Sequence, residues 1–210
     1  MMLITGKSRP GLRGLLTACA LALGLTSCST MSEKECQFAN WRDIGLTDGL
    51  AGKSLGLLNE RRSDCAEANI QLDQKAYLKG REEGLKTYCQ LGNAVHLGLR
   101  GEPYEGVCPT AIEPEFRRRY TIGRDVYHFR TEIDRLERRL ASLEQQSRAQ
   151  QLDFEKRLGS KNRNEDYQRL YRKFQNEQDR IRYEQSETVR DLHWNEEQLD
   201  EAERALRKLR

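Results

Sequence analysis

The stretch VYHFRTEIDRLERRLASL, residues 126–143, decides the fold, because its apolar residues recur at alternating spacings of three and four. These positions are Val126, Phe129, Ile133, Leu136, Leu140 and Leu143. The frame continues less regularly through Ser147, Gln150 and Phe154. It predicts a coiled-coil helix over residues 111–158, whose start is marked by a capping-box pattern from Thr110 to Glu113 and by Pro114 in the first turn.

A second frame with the same alternation occupies the end of the chain. Its positions are Tyr167, Tyr171, Phe174, Gln178, Ile181, Gln185, Thr188, Leu192, Asn195, Leu199, Ala202, Leu206 and Leu209. Residues 159–164, GSKNRN, combine a glycine that suits a helix end with an asparagine that suits a helix start, which predicts a turn.

Two helices of similar length, 111–158 and 165–210, favour an antiparallel hairpin. Several seam positions are polar, which leaves open that the helices await a partner helix or pair with a second copy of the chain.

The preceding segment, residues 28–110, is rich in cysteine and glycine, and we predict a small helical module stapled by disulfides. Its four cysteines after Cys28 are Cys36, Cys65, Cys89 and Cys108. An even number in an exported chain indicates two disulfides. Three pairings are possible, and the shorter loops favour Cys36 with Cys65 and Cys89 with Cys108. The spacings contain no Cys-x-x-Cys pair, so we predict no metal site.

Glycines recur in this module at Gly45, Gly49, Gly52 and Gly56, along one face of a helix if the segment is helical. Such a stripe favours close approach of a neighbouring backbone or ring, although some of these glycines can simply end short helices. Residues 77–84 echo residues 120–127, with Gly80 aligned to Gly123, and residues 41–49 form a looser third copy.

The echo has two interpretations. The aromatic and glycine residues can be packing units, or their side chains can line a ligand groove. The groove candidates are Trp41, Tyr77, Arg81, Tyr104, Tyr120 and Arg124. The glycine- and proline-rich stretch 91–109 predicts a loop, where Asn93, His96, Tyr104 and Glu105 are further ligand candidates.

Residues 1–27 have the pattern of a lipoprotein signal peptide. Lys7, Arg9 and Arg13 precede an apolar run at residues 15–25, which is short for a membrane span. The run ends in Leu-Thr-Ser-Cys28, which resembles a lipobox and predicts lipidation of Cys28. The alternative is an ordinary signal that leaves Cys28 for a disulfide. Ser29, in place of an aspartate after the cysteine, resembles the pattern of enteric-type lipoproteins sorted to the outer membrane, and this resemblance implies a protein facing the periplasm.

The chain has 36 basic and 33 acidic residues, and three of the basic ones lie in residues 1–27. The remainder is balanced, which argues against nucleic acid as a partner.

The module is similar to the Gram-negative lipoprotein family called domain of unknown function 2799. The resemblance covers about residues 30–130. It rests on Cys36, Trp41, Gly45, Asp48-Gly49, Cys65, Asp73, Tyr77, Gly80-Arg81, Gly84-Leu85, Tyr88-Cys89, Gly98, Gly101, Tyr104, Val107-Cys108-Pro109, Phe116, Tyr120 and Gly123-Arg124. It implies an envelope location and a cysteine-stapled module, and the family has no established activity to carry over to this chain.

Together these patterns favour a membrane-anchored, non-enzymatic envelope lipoprotein with a structural, scaffold or docking role. Its expected partners are the membrane, through the lipid on Cys28, and either an envelope protein or a second copy through the heptads. A peptidoglycan- or glycan-binding module that stacks ligand on Trp41, Tyr77, Tyr104 and Tyr120 is the alternative. A hydrolase using Asp43, Asp48 or Glu82 with His96, or a free Cys89 thiol beside His96, has less support, because no catalytic motif is present. We expect no cofactor.

Overall fold

The computed structural model of the chain describes residues 30–159 and 164–209. Within these residues the structure has seven helices and no strand. The helices are α1 (Glu33–Gln37), α2 (Trp41–Leu50), α3 (Leu55–Glu67), α4 (Gln74–Tyr88), α5 (Leu91–Leu99), α6 (Glu113–Leu158) and α7 (Asn164–Arg207). The predicted signal peptide, Cys28 and residues 160–163 of the predicted turn lie outside the described residues. None of the described helices combines the length and apolarity needed to cross a bilayer.

Helices α2 and α4 pack backbone to backbone through glycines on both sides. A methyl group added at Gly45 would lie 2.0 Å from the carbonyl oxygen of Tyr77, and one added at Gly80 would lie 1.9 Å from that of Arg42. Such separations leave no room for a side chain, so glycine is required despite its cost of about 1 kcal/mol per helical position. The predicted close approach is confirmed at Gly45 and at Gly49, where the nearest atom is the carbonyl oxygen of Arg81 at 2.3 Å.

Helix α5 and the first turns of α6 form a second pair of the same kind. A methyl group at Gly98 would lie 2.3 Å from the carbonyl oxygen of Tyr120, and one at Gly123 would lie 2.6 Å from that of Val95. We call α2 with α4, and α5 with residues 113–127 of α6, the two glycine-crossed pairs.

The two pairs correspond in detail, but one turn away from the register that the sequence echo predicts. Gly49 and Gly84 meet in the first pair as Gly98 and Gly123 meet in the second. The structural equivalent of Gly123 is therefore Gly84, and the predicted alignment with Gly80 is wrong. The echo aligns an aromatic residue that lies three positions before a glycine. The glycine that contacts the neighbouring helix is instead determined by the point at which the two helices cross.

The equivalence extends to the residues that follow. Gly52 and Gly101 both have positive φ, +65° and +68°, which suits glycine after a helix end. The ring of Tyr88 lies where a side chain at Gly52 would stand, and the ring of Tyr127 does the same at Gly101.

Both disulfides have the pairing favoured by loop length. Cys36 is bonded to Cys65 and Cys89 to Cys108, each with Cα atoms 5.6 Å apart. Each bond joins the chain just before the first helix of a glycine-crossed pair to the chain before the second. The first is buried in a cluster with Trp41, Leu58 and Tyr77. The second lies in a cluster with the rings of Tyr88, Phe116 and Tyr120.

Helices α6 and α7 form the predicted antiparallel hairpin. Arg130 pairs with Glu203 near its base, and Ser147 donates a 2.8 Å hydrogen bond to Gln178 further along. Every seam position from Val126 to Phe154 and from Phe174 to Leu209 is buried or half-buried. Tyr167 and Tyr171 depart from the frame, since each ring is 40% exposed.

Two local predictions are wrong. Residues 91–109 are not a single loop, because Leu91–Leu99 forms α5 and its Gly98 is compensated by backbone contact with α6. Thr110 does not cap α6: the N-cap is Ile112, without a side-chain hydrogen bond, while the expected proline does lie in the first turn.

Candidate functional site

The most polar buried arrangement is an ion-pair network inside the first glycine-crossed pair. The carboxylate of Asp48 on α2 is 5% exposed. Its Oδ2 accepts a 2.7 Å hydrogen bond from the Tyr77 hydroxyl on α4 and a second bond from Nη1 of Arg61 on α3. Its Oδ1 accepts a 3.0 Å bond from Nη2 of Arg61. Burial and the adjacent carboxylate raise the pKa of Tyr77 well above its usual value.

A small cleft opens beside this network. It encloses about 290 Å³ and is lined by Asn40, Asp43, Ile44, Thr47, Asp48 and Arg61. Because Asp48 is paired with a guanidinium and already accepts the hydroxyl hydrogen bond, it is a poor general base. The network is therefore suited to holding α2, α3 and α4 together.

The second glycine-crossed pair has apolar residues at the positions that correspond to Asp48 and Tyr77. Leu97 precedes Gly98 as Asp48 precedes Gly49, and Phe116 lies seven residues before Gly123 as Tyr77 lies seven residues before Gly84. Leu97 and Phe116 are both buried in the core. The same two positions are thus polar in one pair and apolar in the other, which identifies them as packing positions.

The predicted groove residues do not form one groove. Trp41 and Tyr77 are buried in one core cluster, whereas Tyr120 is buried in the other with Tyr104 packed against it. Arg81 donates a 2.8 Å hydrogen bond to the carbonyl of Lys53, and Arg124 is exposed on α6. Three of the four rings of the predicted glycan platform, those of Trp41, Tyr77 and Tyr120, are buried and present no stacking face to a ligand.

The candidates in the predicted loop also hold structural bonds. The Asn93 amide donates 2.8 Å to the carbonyl of Tyr88, and Glu105 accepts 2.9 Å from the backbone N–H of Ser54. The Tyr104 hydroxyl donates to Glu113 and accepts from the N–H of Cys108. Burial and the Glu113 bond raise the pKa of Tyr104 to about 12.

The residues considered for hydrolysis are dispersed. Asp43 lies in the first turn of α2, where its N–H and its carboxylate both bond the Asn40 cap. Glu82 and His96 are exposed on α4 and α5, and Cys89 is in a disulfide. The described part of the chain contains no cluster of three or more metal-ligating side chains.

A second candidate lies at the end of the hairpin remote from the module, which we call the distal groove. It encloses about 430 Å³ and is lined by Ala149, Gln150, Asp153, Phe154, Arg157, Leu170, Lys173, Phe174 and Glu177. The rings of Phe154 and Phe174 stack there with centroids 4.4 Å apart. The nearby rings of Tyr167 and Tyr171 also stack, with centroids 6.0 Å apart. Leu152, also on the hairpin, is 67% exposed but does not line the groove.

Sequence reasoning missed Arg61 and Leu170, which line the cleft beside Asp48 and the distal groove respectively. Arg61 lies in a charged run without distinctive spacing, and only the fold brings it to Asp48. Phe154, Tyr171 and Phe174 were identified as seam positions, but the periodicity gave no sign that the seam opens into a groove.

Comparisons with known proteins agree with the predicted family. Residues 40–125 match the model of the family described as Protein of unknown function (DUF2799). A relative from Escherichia coli (strain K12), described as uncharacterized protein YfiL, is 32% identical over 69 residues, which cover 33% of this chain and 52% of the relative. The chain thus spans about half the length of that relative. No solved structure matches this chain. The matched segment contains both glycine crossings and the Asp48 network, and it ends before the distal groove.

Proposed function

We propose that the protein is a non-enzymatic, lipid-anchored envelope lipoprotein whose hairpin docks a protein partner. The family that residues 40–125 match, DUF2799, is itself of unknown function. The anchor is the lipid on Cys28, and the membrane is the outer membrane, with the protein facing the periplasm. The observation that carries the docking role is the distal groove.

The groove is suited to a helical partner. It lies beside a seam between two helices, and a two-stranded coiled coil leaves both sides of that seam accessible to a further helix. Its apolar floor is Phe154, Leu170 and Phe174, and its rim carries both acidic and basic side chains. We therefore expect a partner helix with a narrow apolar stripe flanked by charges of both signs.

The distal groove lies far from the module, which supports docking of a partner at a distance from the membrane. From Gly123, where α6 leaves the module, to Leu158, the helix rises about 1.5 Å per residue and extends roughly 50 Å. A surface at that distance meets partners that a module held at the bilayer cannot touch.

Site-specific photocrosslinking in living cells tests this proposal. A photoreactive amino acid at position 173, where the exposed Lys173 lines the groove, is expected to capture one defined envelope protein. The control is position 183, since Tyr183 is also exposed (66%) but does not line the groove. Identical products at both positions, or none at position 173, would contradict docking at the groove.

Self-association is the competing use of the same surface. Light scattering of the mature chain with Cys28→Ser is expected to give the mass of a monomer. A stable dimer, together with a crosslink at position 173 of twice the chain mass, would replace the foreign partner with a second copy.

A further inference from the structure

A separate surface at the start of the described chain has an exposed aromatic ring. Phe38, just after α1, is 79% exposed, the largest exposed fraction among the exposed large apolar side chains of the described residues. It stands at the edge of a groove of about 740 Å³ whose wall includes Met31, Lys34, Ala39 and Ile44. We call this surface the α1 face.

Hydrogen bonds of Thr30 fix the point at which the chain enters the module, next to the α1 face. The backbone N–H and the hydroxyl of Thr30 donate to Asp64 on α3, at 2.7 and 2.6 Å, so the chain enters the module at a defined point. Thr30 also lines the groove of the α1 face. Position 28 is two residues before Thr30 in the chain, and two residues span at most about 7 Å.

Most charged side chains near the Phe38 ring form hydrogen bonds or ion pairs within the protein. Glu35 accepts hydrogen bonds from the N–H and hydroxyl of Ser32, both 2.7 Å, and these bonds lower its pKa. Arg61 is paired with Asp48. Lys34 lies one helical turn before Phe38, on the same side of α1. The face therefore has an aromatic ring with a flanking cation and no strong net charge.

We propose that the α1 face rests on the lipid bilayer, with the ring of Phe38 inserted at the boundary between headgroups and acyl chains. The inference rests on the proposed lipid anchor, because a lipid on Cys28 brings this face to the bilayer surface. An aromatic ring with a nearby lysine is a side-chain combination that suits that boundary. The contact orients the module on the membrane, which a flexible lipid tether alone does not do.

Fluorescence quenching of the lipidated mature protein in phosphatidylcholine vesicles tests this inference. Phe38→Trp adds a fluorophore to the α1 face, and Leu152→Trp adds one at an exposed site on the hairpin. Both variants keep the native Trp41 and Trp194, so each is compared with the unmodified chain. We expect brominated lipid to cause loss of the added emission in Phe38→Trp and no loss in Leu152→Trp. Adding phosphatidylglycerol is expected to change the quenching little, because the ring makes the contact.

Equal quenching in the two variants overturns the bilayer contact. A shifted emission of Phe38→Trp that brominated lipid does not quench indicates a protein contact, and it also overturns the proposal. Mass spectrometry of the mature chain separates these outcomes from failure of the anchor. A lipid on Cys28 without quenching at position 38 rejects only the α1 face, whereas an unmodified Cys28 rejects the anchor and this inference together.

Discussion

Helix α6 packs in two different ways along its length. Its first turns cross α5 at Gly98 and Gly123, where the backbones themselves are in contact. Beyond Val126 it pairs with α7 through interleaved side chains such as Leu143 and Ile181, both fully buried. The same helix therefore belongs to the module by backbone contact and to the hairpin by side-chain packing.

The contrast shows that the two regions tolerate change differently. A backbone crossing has no soft atoms to move, so any added side chain must separate the helices. A seam of side chains can repack when volume is kept, and its outer ion pairs are exposed to water. We expect large effects of substitution in the module and small ones on the hairpin surface.

The sharpest test of the contrast uses two glycines of one helix. Gly98→Ala places a methyl group 2.3 Å from the Tyr120 carbonyl oxygen, and we expect a loss of about 3 kcal/mol in the free energy of unfolding. Gly92→Ala meets no atom within 4 Å and is expected to stabilise α5 by up to about 1 kcal/mol. Chemical denaturation of both variants measures the difference, and similar stabilities would show that the crossing is not rigid.

The Asp48 network tests whether the two glycine-crossed pairs are equivalent. Arg61→Met leaves a buried carboxylate with one donor, and we expect a loss of about 3 kcal/mol in the free energy of unfolding, measured by denaturation. Adding Asp48→Leu and Tyr77→Phe copies the apolar positions of the second pair and should restore most of the stability. A triple variant as unstable as Arg61→Met alone would refute the equivalence.

High pH should weaken the module before the hairpin. Burial, with Glu105 and Glu102 nearby, raises the pKa of Tyr88 to about 12, against about 10 in the unfolded chain. The folded state favours the neutral phenol, so this stability is fully present below pH 10 and is lost as the pH rises towards 12. It amounts to about 2 to 3 kcal/mol.

Unfolding experiments across this pH range measure the loss. Tyr88→Phe should flatten the pH dependence in part, because Tyr77 and Tyr104 also have raised pKa values. Tyr183→Phe, at an exposed position of the hairpin, serves as the control. If the Tyr88→Phe and Tyr183→Phe profiles coincide, burial of Tyr88 is not the cause.

The smallest effect is expected on the outer face of the hairpin. Arg139→Gln removes an ion pair with Glu184 in which both side chains are partly exposed. We expect a loss of about 0.2–1 kcal/mol that shrinks further in high salt. Thermal unfolding at two salt concentrations measures it, and a loss as large as that of Gly98→Ala would erase the distinction between the two regions.

The hairpin and the disulfides were predictable from sequence because both depend on local spacing. The heptad frames located the seams from Val126 to Leu209, and short loops favoured the observed cysteine pairs. The exposure of Tyr167 and Tyr171 at the far end of the hairpin was not predictable, since burial there depends on how far apart the two helices lie.

For the module, the sequence predicted the type of packing but not which residues meet. Glycine spacing indicated close backbone approach, but the partner of each glycine is set by tertiary structure, so the echo was aligned one turn away. The glycines and prolines of residues 91–109 suggested a loop where α5 forms, because the contacts that compensate for a helical glycine such as Gly98 are not revealed by a single sequence. Asp48 and Tyr77 were identified as candidates, yet their bond to each other and to Arg61 required the fold.

Because α6 is one continuous helix, a force on the far end of the hairpin is transmitted to the module. Between Gly123 and Gly159 the helix contains no glycine or proline at which it would readily bend. A load that shifts the far end sideways by one helical pitch, about 5.4 Å over an arm of roughly 50 Å, rotates the helix by about 6°. The fulcrum is the crossing with α5, next to the Cys89–Cys108 bond, so mechanical force applied to the tip is delivered to a covalently braced joint.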